Sequence, residues 1–578
     1  MRRSAQTVNF TSLAGSAGAA AVNRRRVAAI VAAALAVVSL PAPSAARATA
    51  AQWHDVVVTG TDAEGAARAV RAAGGRVVTS LPVVRGVAAQ LLQGSTLDPA
   101  WSVAPQREIT VAEAETPAGT AGTATVRQMV GLPAGGDEGR GVTVAVVDTG
   151  IADVPDLAGQ LAGRVDLTGT GAGDGYGHGT FMAGLIAATG KASDGRYRGV
   201  APGAKLIDVK VADADGRTDL TTVLRGLQWV SDHRRDVQVV NLSLSSNSPL
   251  PYQIDPLTQA LESLWHQGVT VVVPSGNDGP GTGSVTSPGN DPLLLTTGGL
   301  DAAGTAGRGD DVVGAWSGRG PTWQGDAKPD LVAAGGHVVS LRSPGSVVDT
   351  GNPQARVGDG YFRGSGTSMA AAVTSGVIAG TLAVQPRLRP DAIKNLLVST
   401  AYPSAGLSRA SGGGAGGLDA ARVLAAAPRW NAGQAQQQYD ADTTTVGRDA
   451  KRWAAFSEAL VDGDQPAADK AWKKLTPASR DWAARAWAQL DPAARAWAAR
   501  AWAGSDFTAR AWADSEWVAR AWAARAWAAR AWASDDWAAR AWAGEEWAAR
   551  AWAADDWAAR AWAADRWNAR AWAWLPSS

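Results

Sequence analysis

Five apolar runs, rich in β-branched and aliphatic residues, lie between residues 142 and 428 and alternate with segments of helical pattern. Runs of this kind are typical of parallel strands that helices cover on both faces, with crossover helices between them. The pattern therefore predicts an α/β fold with a sheet of at least five strands. The predicted strands are Val142–Val147, Lys205–Val211, Val237–Leu244, Val269–Val273 and Leu293–Thr297.

A smaller unit precedes this sheet. Its pattern predicts an α+β arrangement of one helix and three strands, namely strand Asp55–Thr59, helix Ala63–Ala73, strand Gly75–Thr79 and a strand around Gly86–Leu92. A stretch rich in Pro, Thr and Gly follows at residues 116–125 and predicts an exposed linker of the kind that proteases cut. The unit is therefore either an ordinary N-terminal domain or a removable pro-segment.

Composition narrows the classes of function. A chain of 578 residues predicts two to four domains. The net charge of +1, with no strongly basic domain, argues against a nucleic-acid partner. Cysteine is absent, which excludes disulfides, thiol chemistry and cysteine-based metal sites.

Residues 1–48 have the pattern of an export signal. Arginines at 24–26 precede an apolar run, Val27–Leu40, and Ala46–Ala48 forms an A-x-A cleavage motif. The run is too short to span a membrane stably, so the pattern predicts a secreted product, with a retained anchor as the alternative. Both the general secretory route and the twin-arginine route stay open.

The segment Gly364–Ala370 reads Gly-Ser-Gly-Thr-Ser-Met-Ala and leads into a run of small residues that ends at Ala383. This pattern predicts a tight turn that enters a helix. A serine at that point, Ser368, has its hydroxyl beside free backbone N–H groups and the positive end of the helix dipole, where developing negative charge is favoured. Ser368 is thus a candidate nucleophile for acyl transfer, and a simple N-cap serine is the alternative.

Other polar residues are predicted to lie near Ser368. Asp148 ends the first apolar run and Asn277 follows the fourth, so both belong to the edge where parallel strands end. His178 lies between two glycines at the start of an apolar helical segment, Gly177–Gly184. A serine hydroxyl needs a base to take its proton and a carboxylate to orient that base, roles that suit His178 and Asp148. Asn277 has a turn asparagine as its alternative.

Taken with their neighbours, Asp148, His178, Asn277 and Ser368 occur in the order of the subtilisin-like serine peptidases, the subtilase family, which the chain resembles from about Gly141 to Ala401. Further matching segments are Gly199–Ala204, Val240–Leu244, Lys328–Asp330 and Gly366–Ala370. The resemblance implies a secreted endopeptidase that cuts protein or peptide substrates through an acyl-enzyme and needs no cofactor for its chemistry. It also implies that Asp55–Val111 is an inhibitory propeptide that assists folding and is then removed.

The same resemblance assigns further roles. The oxyanion donors would be the Asn277 side-chain amide and the Ser368 backbone N–H. Residues 245 and 246 are serines where the family usually has two glycines, so we expect a differently shaped cleft edge and no transfer of substrate preference. The residues expected to bind substrate are Ser243, Leu244, Ser245 and Gly276.

Members of the family commonly bind calcium, and Asp156 matches a frequent ligand position. The loop that usually supplies the other ligands, Gly190–Arg198, departs from the family pattern. A structural calcium ion at Asp156 and an ordinary turn aspartate are both open at this point.

The C-terminal region is a repeat. Tryptophan recurs every five residues from Trp482 to Trp572, except at Pro492 and Phe507. Alanine content and acid–arginine pairs four residues apart favour helix, our preferred prediction. Five residues advance a helix by about 500°, so the tryptophans would occupy every face, and a solenoid with five residues per side is the alternative.

Tryptophan with arginine favours contact with cell-wall carbohydrate, a membrane surface or a partner surface, which would hold the protein at the cell surface; a self-packing spacer is the alternative. The rival from another class is a catalytically idle scaffold that binds through this region, and a processing protease for a few partners is a third hypothesis. The predicted organisation is a signal peptide at 1–48, a propeptide at 49–120, a catalytic domain at 121–428, a linker at 429–480 and a Trp-rich repeat region at 481–578.

Overall fold

The computed structural model of the chain describes residues 53–111, 124–430 and 465–475, apart from short gaps at 94, 96, 99–100, 137, 247, 249–251, 253–254 and 323–325. The predicted signal segment, most of the predicted 116–125 linker and the Trp-rich repeat region lie outside the described residues. The predictions made for those three parts of the chain therefore stay predictions.

The N-terminal unit is a four-stranded antiparallel sheet in the order β2-β3-β1-β4, crossed by one helix. Asp62 begins the helix by accepting a hydrogen bond from Gly65 N at 2.7 Å. The predicted helix and three strands are confirmed, and the fourth strand was not predicted. The elements are β1 Trp53–Thr59, α1 Ala63–Ala72, β2 Arg76–Leu81, β3 Gly86–Leu92 and β4 Ser102–Pro105.

The remaining strands build three further sheets. In chain order they are β5 Glu108–Val111, β6 Thr143–Asp148, β7 Leu161–Asp166, β8 Lys205–Lys210, β9 Arg217–Asp219, β10 Val239–Leu242, β11 Leu244–Ser245, β12 Thr270–Pro274, β13 Leu295–Asp301, β14 Val312–Val313, β15 Leu331–Ala334, β16 Val338–Leu341, β17 Arg356–Val357 and β18 Tyr361–Gly364.

The central sheet has eight strands in the order β14-β13-β12-β10-β6-β8-β7, with β15 paired to β13. Every pair in it is parallel except β13 with β14. The predicted parallel α/β sheet is confirmed, because each of the five predicted runs contributes a strand. The strand β7 was not predicted, since its half-buried sequence lacks a continuous apolar run.

Helices cover both faces of this sheet. The pair α3 and α7 packs together against the central strands, and the pair α4 and α5 packs together against the sheet from the other side. The helix bounds are α2 Val126–Met129, α3 His178–Ala187, α4 Leu220–Asp232, α5 Pro256–His266, α6 Val347–Gly351, α7 Thr367–Val384, α8 Pro390–Thr400, α9 Ala420–Ala426 and α10 Gln465–Trp472.

The helix α7 is the core helix of the fold. Among the described residues it alone is long and apolar enough to cross a membrane, and 89% of its apolar window is buried inside the protein. Its small side chains allow close packing on strands β10, β12 and β13. Its composition thus follows from its position between the sheet and α3.

The run Val237–Leu244 was predicted as one strand, and the structure divides it. Strand β10 ends at Leu242, Ser243 follows with its side chain buried and hydrogen-bonded, and β11 then pairs with β5 outside the central sheet. There β5 lies between β11 and β9 in a three-stranded antiparallel sheet. The register pairs Ser245 with Thr110 on one side, and Thr110 with Arg217 on the other.

The N-terminal unit also packs on the helices α4 and α5. A single 3-10 turn, Pro82–Val84, contacts both helices, and Val83 N donates a hydrogen bond to the Gln228 side chain at 2.7 Å. Below this turn the buried carboxyl groups of Glu262 and Asp291 share a hydrogen bond. Burial and the neighbouring Asp291 raise the pKa of Glu262 from 4.5 to about 10, although the charge of Arg85 opposes the shift.

This pair makes stability depend on pH. Burial also raises the pKa of Asp291, against the charges of Lys328 and Lys394. Above about pH 4.5 the folded state holds a proton that the unfolded chain releases, so the free energy of unfolding falls as pH rises, by on the order of 1 kcal/mol per pH unit from this source.

We expect Glu262→Gln to flatten this dependence, because its amide N–H replaces the shared proton at every pH. Guanidinium-induced unfolding at pH 6 and pH 9 measures the change. The exposed Asp236→Asn, an acid-to-amide change in the part of the chain that maturation retains, is the matched control and should follow the wild type. Equal losses of stability between the two pH values in wild type and Glu262→Gln would contradict the assignment.

Candidate active site

The predicted site residues gather at the edge where the strands of the central sheet end. Asp148 is the last residue of β6, Ser243 follows β10 directly, and Asn277 lies in the turn after β12. The three strands are parallel neighbours, so their carboxyl ends meet. The predicted placement of Asp148 and Asn277 at one edge is therefore confirmed.

The first residue of α3, His178, is hydrogen-bonded to Asp148. The His178 Nδ1 atom lies 2.8 Å from Oδ1 and 3.0 Å from Oδ2 of that carboxylate, and both side chains are buried. The helix approaches β6 this closely because residue 179 is glycine: a β-carbon there would lie 2.1 Å from the Gly150 carbonyl oxygen. Because the carboxylate accepts from Nδ1–H, the neutral ring keeps Nε2 as its basic nitrogen.

Asp174 holds the start of α3 in place, and sequence reasoning missed it. Its carboxylate accepts hydrogen bonds from Thr149 Oγ1 at 2.8 Å and Gly177 N at 2.7 Å, and from Thr180 N at 2.8 Å and Oγ1 at 2.6 Å. Burial raises the pKa of Asp174, against these hydrogen bonds. The signal in the sequence is an acidic residue four positions before a helix N-terminus, within a glycine-rich stretch.

Ser368 is the second residue of α7 and is fully buried in this structure. Its Oγ donates to the Ser243 carbonyl at 3.3 Å, and Ser243 Oγ donates to the Ser368 carbonyl at 3.3 Å. Asn241 Nδ2 in turn donates to Ser243 Oγ at 2.9 Å. The start of α7 is thus fastened to the end of β10, beside the strand β11.

Asn277 contacts the same helix start. Its Oδ1 accepts hydrogen bonds from Thr367 N at 3.0 Å and Thr367 Oγ1 at 2.9 Å. A backbone N–H can only donate, so this contact fixes the orientation of the amide and directs its NH₂ group away from Thr367. The preceding Gly276 has a φ of 91°, and a β-carbon there would lie 2.3 Å from Thr286 Oγ1, so the turn requires glycine.

The residues expected to bind substrate lie along one path. Ser243, Leu244 and Ser245 are consecutive, and the last two form β11, whose outer edge is paired with β5. Ser245 keeps this strand pairing although the family usually has glycine there. The structure therefore places an extended segment of the chain itself against these residues.

The surroundings of Asp156 do not fit a calcium ion. Asp156 is fully buried, with Oδ1 accepting from Ala192 N at 2.6 Å and Oδ2 accepting from the Tyr361 hydroxyl at 2.6 Å. Calcium needs six to eight oxygen ligands, whereas these carboxylate oxygens face an N–H and an O–H donor. Nor do the described ranges contain a group of three or more His, Asp or Glu side chains that could hold a metal. The carboxylate instead ties the loop at Ala192 to β18.

Comparisons with known proteins show which family the chain belongs to. Residues 139–416 match the family model described as the subtilase family, Peptidase S8. Subtilisin BL of Lederbergia lenta is 34% identical over 265 residues, which are 46% of this chain and 84% of that protein. The chain belongs to the subtilase family. It is thus a member of a family of serine-type peptidases.

Other relatives differ in how much they share with this subtilase. The serine protease AprX of Bacillus subtilis (strain 168) is 43% identical over 269 residues, which are 45% of this chain and 61% of AprX. The chain therefore spans about three fifths of that relative. The crystal structure of fervidolysin from Fervidobacterium pennivorans, a keratinolytic enzyme related to subtilisin, aligns with a TM-score of 0.50 at 24% identity, covering 65% of this chain and 61% of that one. This last likeness shows the shared fold.

Proposed function

We propose that this subtilase is a serine endopeptidase in which Ser368 is the nucleophile, His178 the general base and Asp148 the residue that orients the base. The observation that carries the proposal is the buried hydrogen bond from His178 Nδ1 to Asp148, at the sheet edge where Ser368 lies in the first turn of α7. In the proposed reaction, Ser368 Oγ attacks the scissile carbonyl as His178 Nε2 takes its proton. Asp148 stabilises the imidazolium, which then protonates the leaving amine. Water hydrolyses the acyl-enzyme by the same proton transfers.

Asn277 and the N-terminus of α7 would stabilise the tetrahedral intermediate. The Asn277 oxygen accepts from Thr367, so the group of Asn277 that would donate to an oxyanion is its amide NH₂. The Ser368 backbone N–H lies in the first turn of α7, where the helix dipole also favours negative charge. The proposed chemistry uses protein groups only.

Residues 53–111 would act as an inhibitory propeptide. The strand β5 fills the slot between β9 and β11, with Ile109 and Val111 buried and Glu108 and Thr110 exposed. Burial of each apolar side chain contributes about 1.5–3 kcal/mol to binding of the strand. A segment held in this way occupies the place of an extended substrate and blocks the cleft.

The register of β5 also suggests where the chain is cut. Leu244 pairs with Val111, so the residue that follows in any strand bound with this register comes opposite Ser243, whose main chain contacts Ser368. The peptide bond on the C-terminal side of that residue is the one that would lie within reach of the nucleophile. We therefore propose that maturation cuts the Ala112–Glu113 bond.

Export and anchoring complete the proposal. The signal-like residues 1–48 would direct secretion, and the Trp-rich repeat region 481–578 would contact cell-wall carbohydrate or a membrane surface. The substrates would be proteins or peptides, as the family implies.

Labelling with a fluorescent serine-directed fluorophosphonate tests the function and the location together. We expect the label on Ser368 of a chain that begins at Glu113, recovered from the medium or the cell-wall fraction of an expressing culture. Peptide mapping by mass spectrometry gives the labelled residue and the N-terminus. A label on another residue, or none on a folded and mature chain, would refute the assigned nucleophile, and label confined to the cytoplasm would refute export.

A further inference from the structure

The residue just before β5, Arg107, inserts its guanidinium into the body of the protein. Its Nη2 lies 2.6 Å from Oδ1 and 2.9 Å from Oδ2 of Asp255, and the two side chains are 3% and 0% exposed. Among the described residues, Arg107 Nε and Nη1 have no hydrogen-bond partner. Within these residues the guanidinium is therefore held through Nη2, in a buried ion pair with Asp255.

Besides this arginine, the partners of Asp255 among the described residues are neutral. Its Oδ1 caps α5 by accepting from Leu257 N at 3.0 Å, and its Oδ2 accepts from Ser287 Oγ at 3.2 Å. Within the described part of the chain, Arg107 is the one cation within 4.0 Å of this carboxylate. A buried carboxylate that loses its cation is costly, so this position favours a basic partner strongly.

The ion pair lies on the path that an extended chain follows through the cleft. Ser246, the residue after β11, exchanges main-chain hydrogen bonds of 2.8 and 3.1 Å with Ser287, whose hydroxyl contacts Asp255. On the other side, the Arg107 carbonyl accepts from Leu220 N at 3.0 Å and continues the pairing of β5 with β9. The main chain of Arg107 is thus paired on the β9 side, and its side chain contacts an aspartate that Ser287 links to the β11 side.

The side chain of Arg107 also lies on the buried face of the strand. Residues 107, 109 and 111 are buried, whereas residues 108 and 110 are exposed. A strand directs alternate side chains to one face, so Arg107, Ile109 and Val111 all point into the protein from one continuous segment. Any chain bound in this register presents its own side chain to Asp255 at the position of Arg107.

We propose that Asp255 determines specificity by selecting substrates with arginine four residues before the residue in the position of Val111. The inference rests on the proposed function, since it takes β5 as an image of bound substrate. When the segment that carries Arg107 departs, it takes the cation with it, and a substrate arginine restores the pair. A substrate with a neutral side chain there leaves the carboxylate unpaired and binds less well.

A pair of synthetic peptides tests the proposal on the mature wild-type protein. Both have the sequence of residues 105–116, and they differ only in arginine or citrulline at the position of Arg107. Citrulline has nearly the same shape without the charge. We expect kcat/KM to be roughly 30-fold or more higher for the arginine peptide, since loss of one partner of a buried charge pair has effects of that size. Mass spectrometry of the products verifies that both are cut at the same bond.

Variants then assign the effect to Asp255. Asp255→Asn should bring the arginine-to-citrulline ratio within about threefold of one, and it keeps an N-cap side chain for α5. The matched control Asp236→Asn, an exposed aspartate after α4, should retain the wild-type ratio. A wild-type ratio near one, or an unchanged ratio in Asp255→Asn, overturns the proposal, and the first result decides even if the variant does not fold. Failure to cut either peptide refutes the proposed function as well, whereas equal cutting of both refutes only the role of Asp255.

Discussion

The Ser368→Ala chain should fold and yet lose peptide-bond hydrolysis by a factor on the order of 10⁶ in kcat, the size of loss that removal of the nucleophile causes in subtilisin. Alanine deletes the oxygen that forms the acyl-enzyme and leaves the small-residue packing of α7 intact. The variant should also keep residues 53–111 attached if maturation is autocatalytic. Turnover of a fluorogenic peptide and intact mass of the purified chain measure the two effects.

A serine on another helix provides the control for this variant. Ser399→Ala changes an exposed serine of α8 in the same way and should mature and turn over as the wild type does. Robust hydrolysis by Ser368→Ala would remove the nucleophile assignment. If instead the wild-type chain is active with its N-terminal unit still attached, the inhibitor role of residues 53–111 is refuted and the catalytic role of Ser368 is unaffected.

Replacing Asn277 with alanine should lower kcat by roughly 10²–10³ with little change in KM, a magnitude that comes from the corresponding position in subtilisin. The physical reason is that the amide N–H acts on an oxygen that becomes charged only in the transition state. Thr367 holds the other end of the amide, so the donor is positioned before the reaction begins. Steady-state kinetics on a short peptide give both constants.

Two comparisons sharpen the test. Asn277→Asp keeps the shape but replaces the donor by a carboxylate, so it should lose at least as much kcat as the alanine variant. Thr367→Val removes one of the two hydrogen bonds to Asn277 Oδ1 and should have a smaller effect of the same kind. A rise in KM with unchanged kcat in Asn277→Ala would assign Asn277 to substrate binding instead.

Local sequence patterns predicted much of the fold and the grouping of the site. Buried parallel strands have continuous apolar sequences, so the runs that became β6, β8 and β12 were recognisable, and glycines beside His178 and Ser368 indicated helix starts. The carboxyl ends of parallel strands share one edge of the sheet, so the sequence predicted that Asp148 and Asn277 lie at the same edge.

The features that the sequence did not predict depend on contacts between distant residues. At the division of Val237–Leu244, Ser243 contacts Ser368, which is 125 residues away, and no local pattern encodes that contact. The pairing of Arg107 with Asp255 joins residues 148 positions apart. For Asp156 the family pattern suggested calcium, and the partner that replaces it, Tyr361, is 205 residues away.

On the proposed function, the position of β5 between two strands limits which proteins can be substrates. Departure of residues 53–111 would leave β9 and β11 with two facing rows of main-chain donors and acceptors, and a substrate chain would enter by β-augmentation on both sides at once. Such a chain must release its own helix or sheet hydrogen bonds over the whole stretch from the Asp255 position to the scissile bond. The rate at which a folded protein is cleaved would then depend on how often that stretch opens, that is, on the local unfolding equilibrium of the substrate.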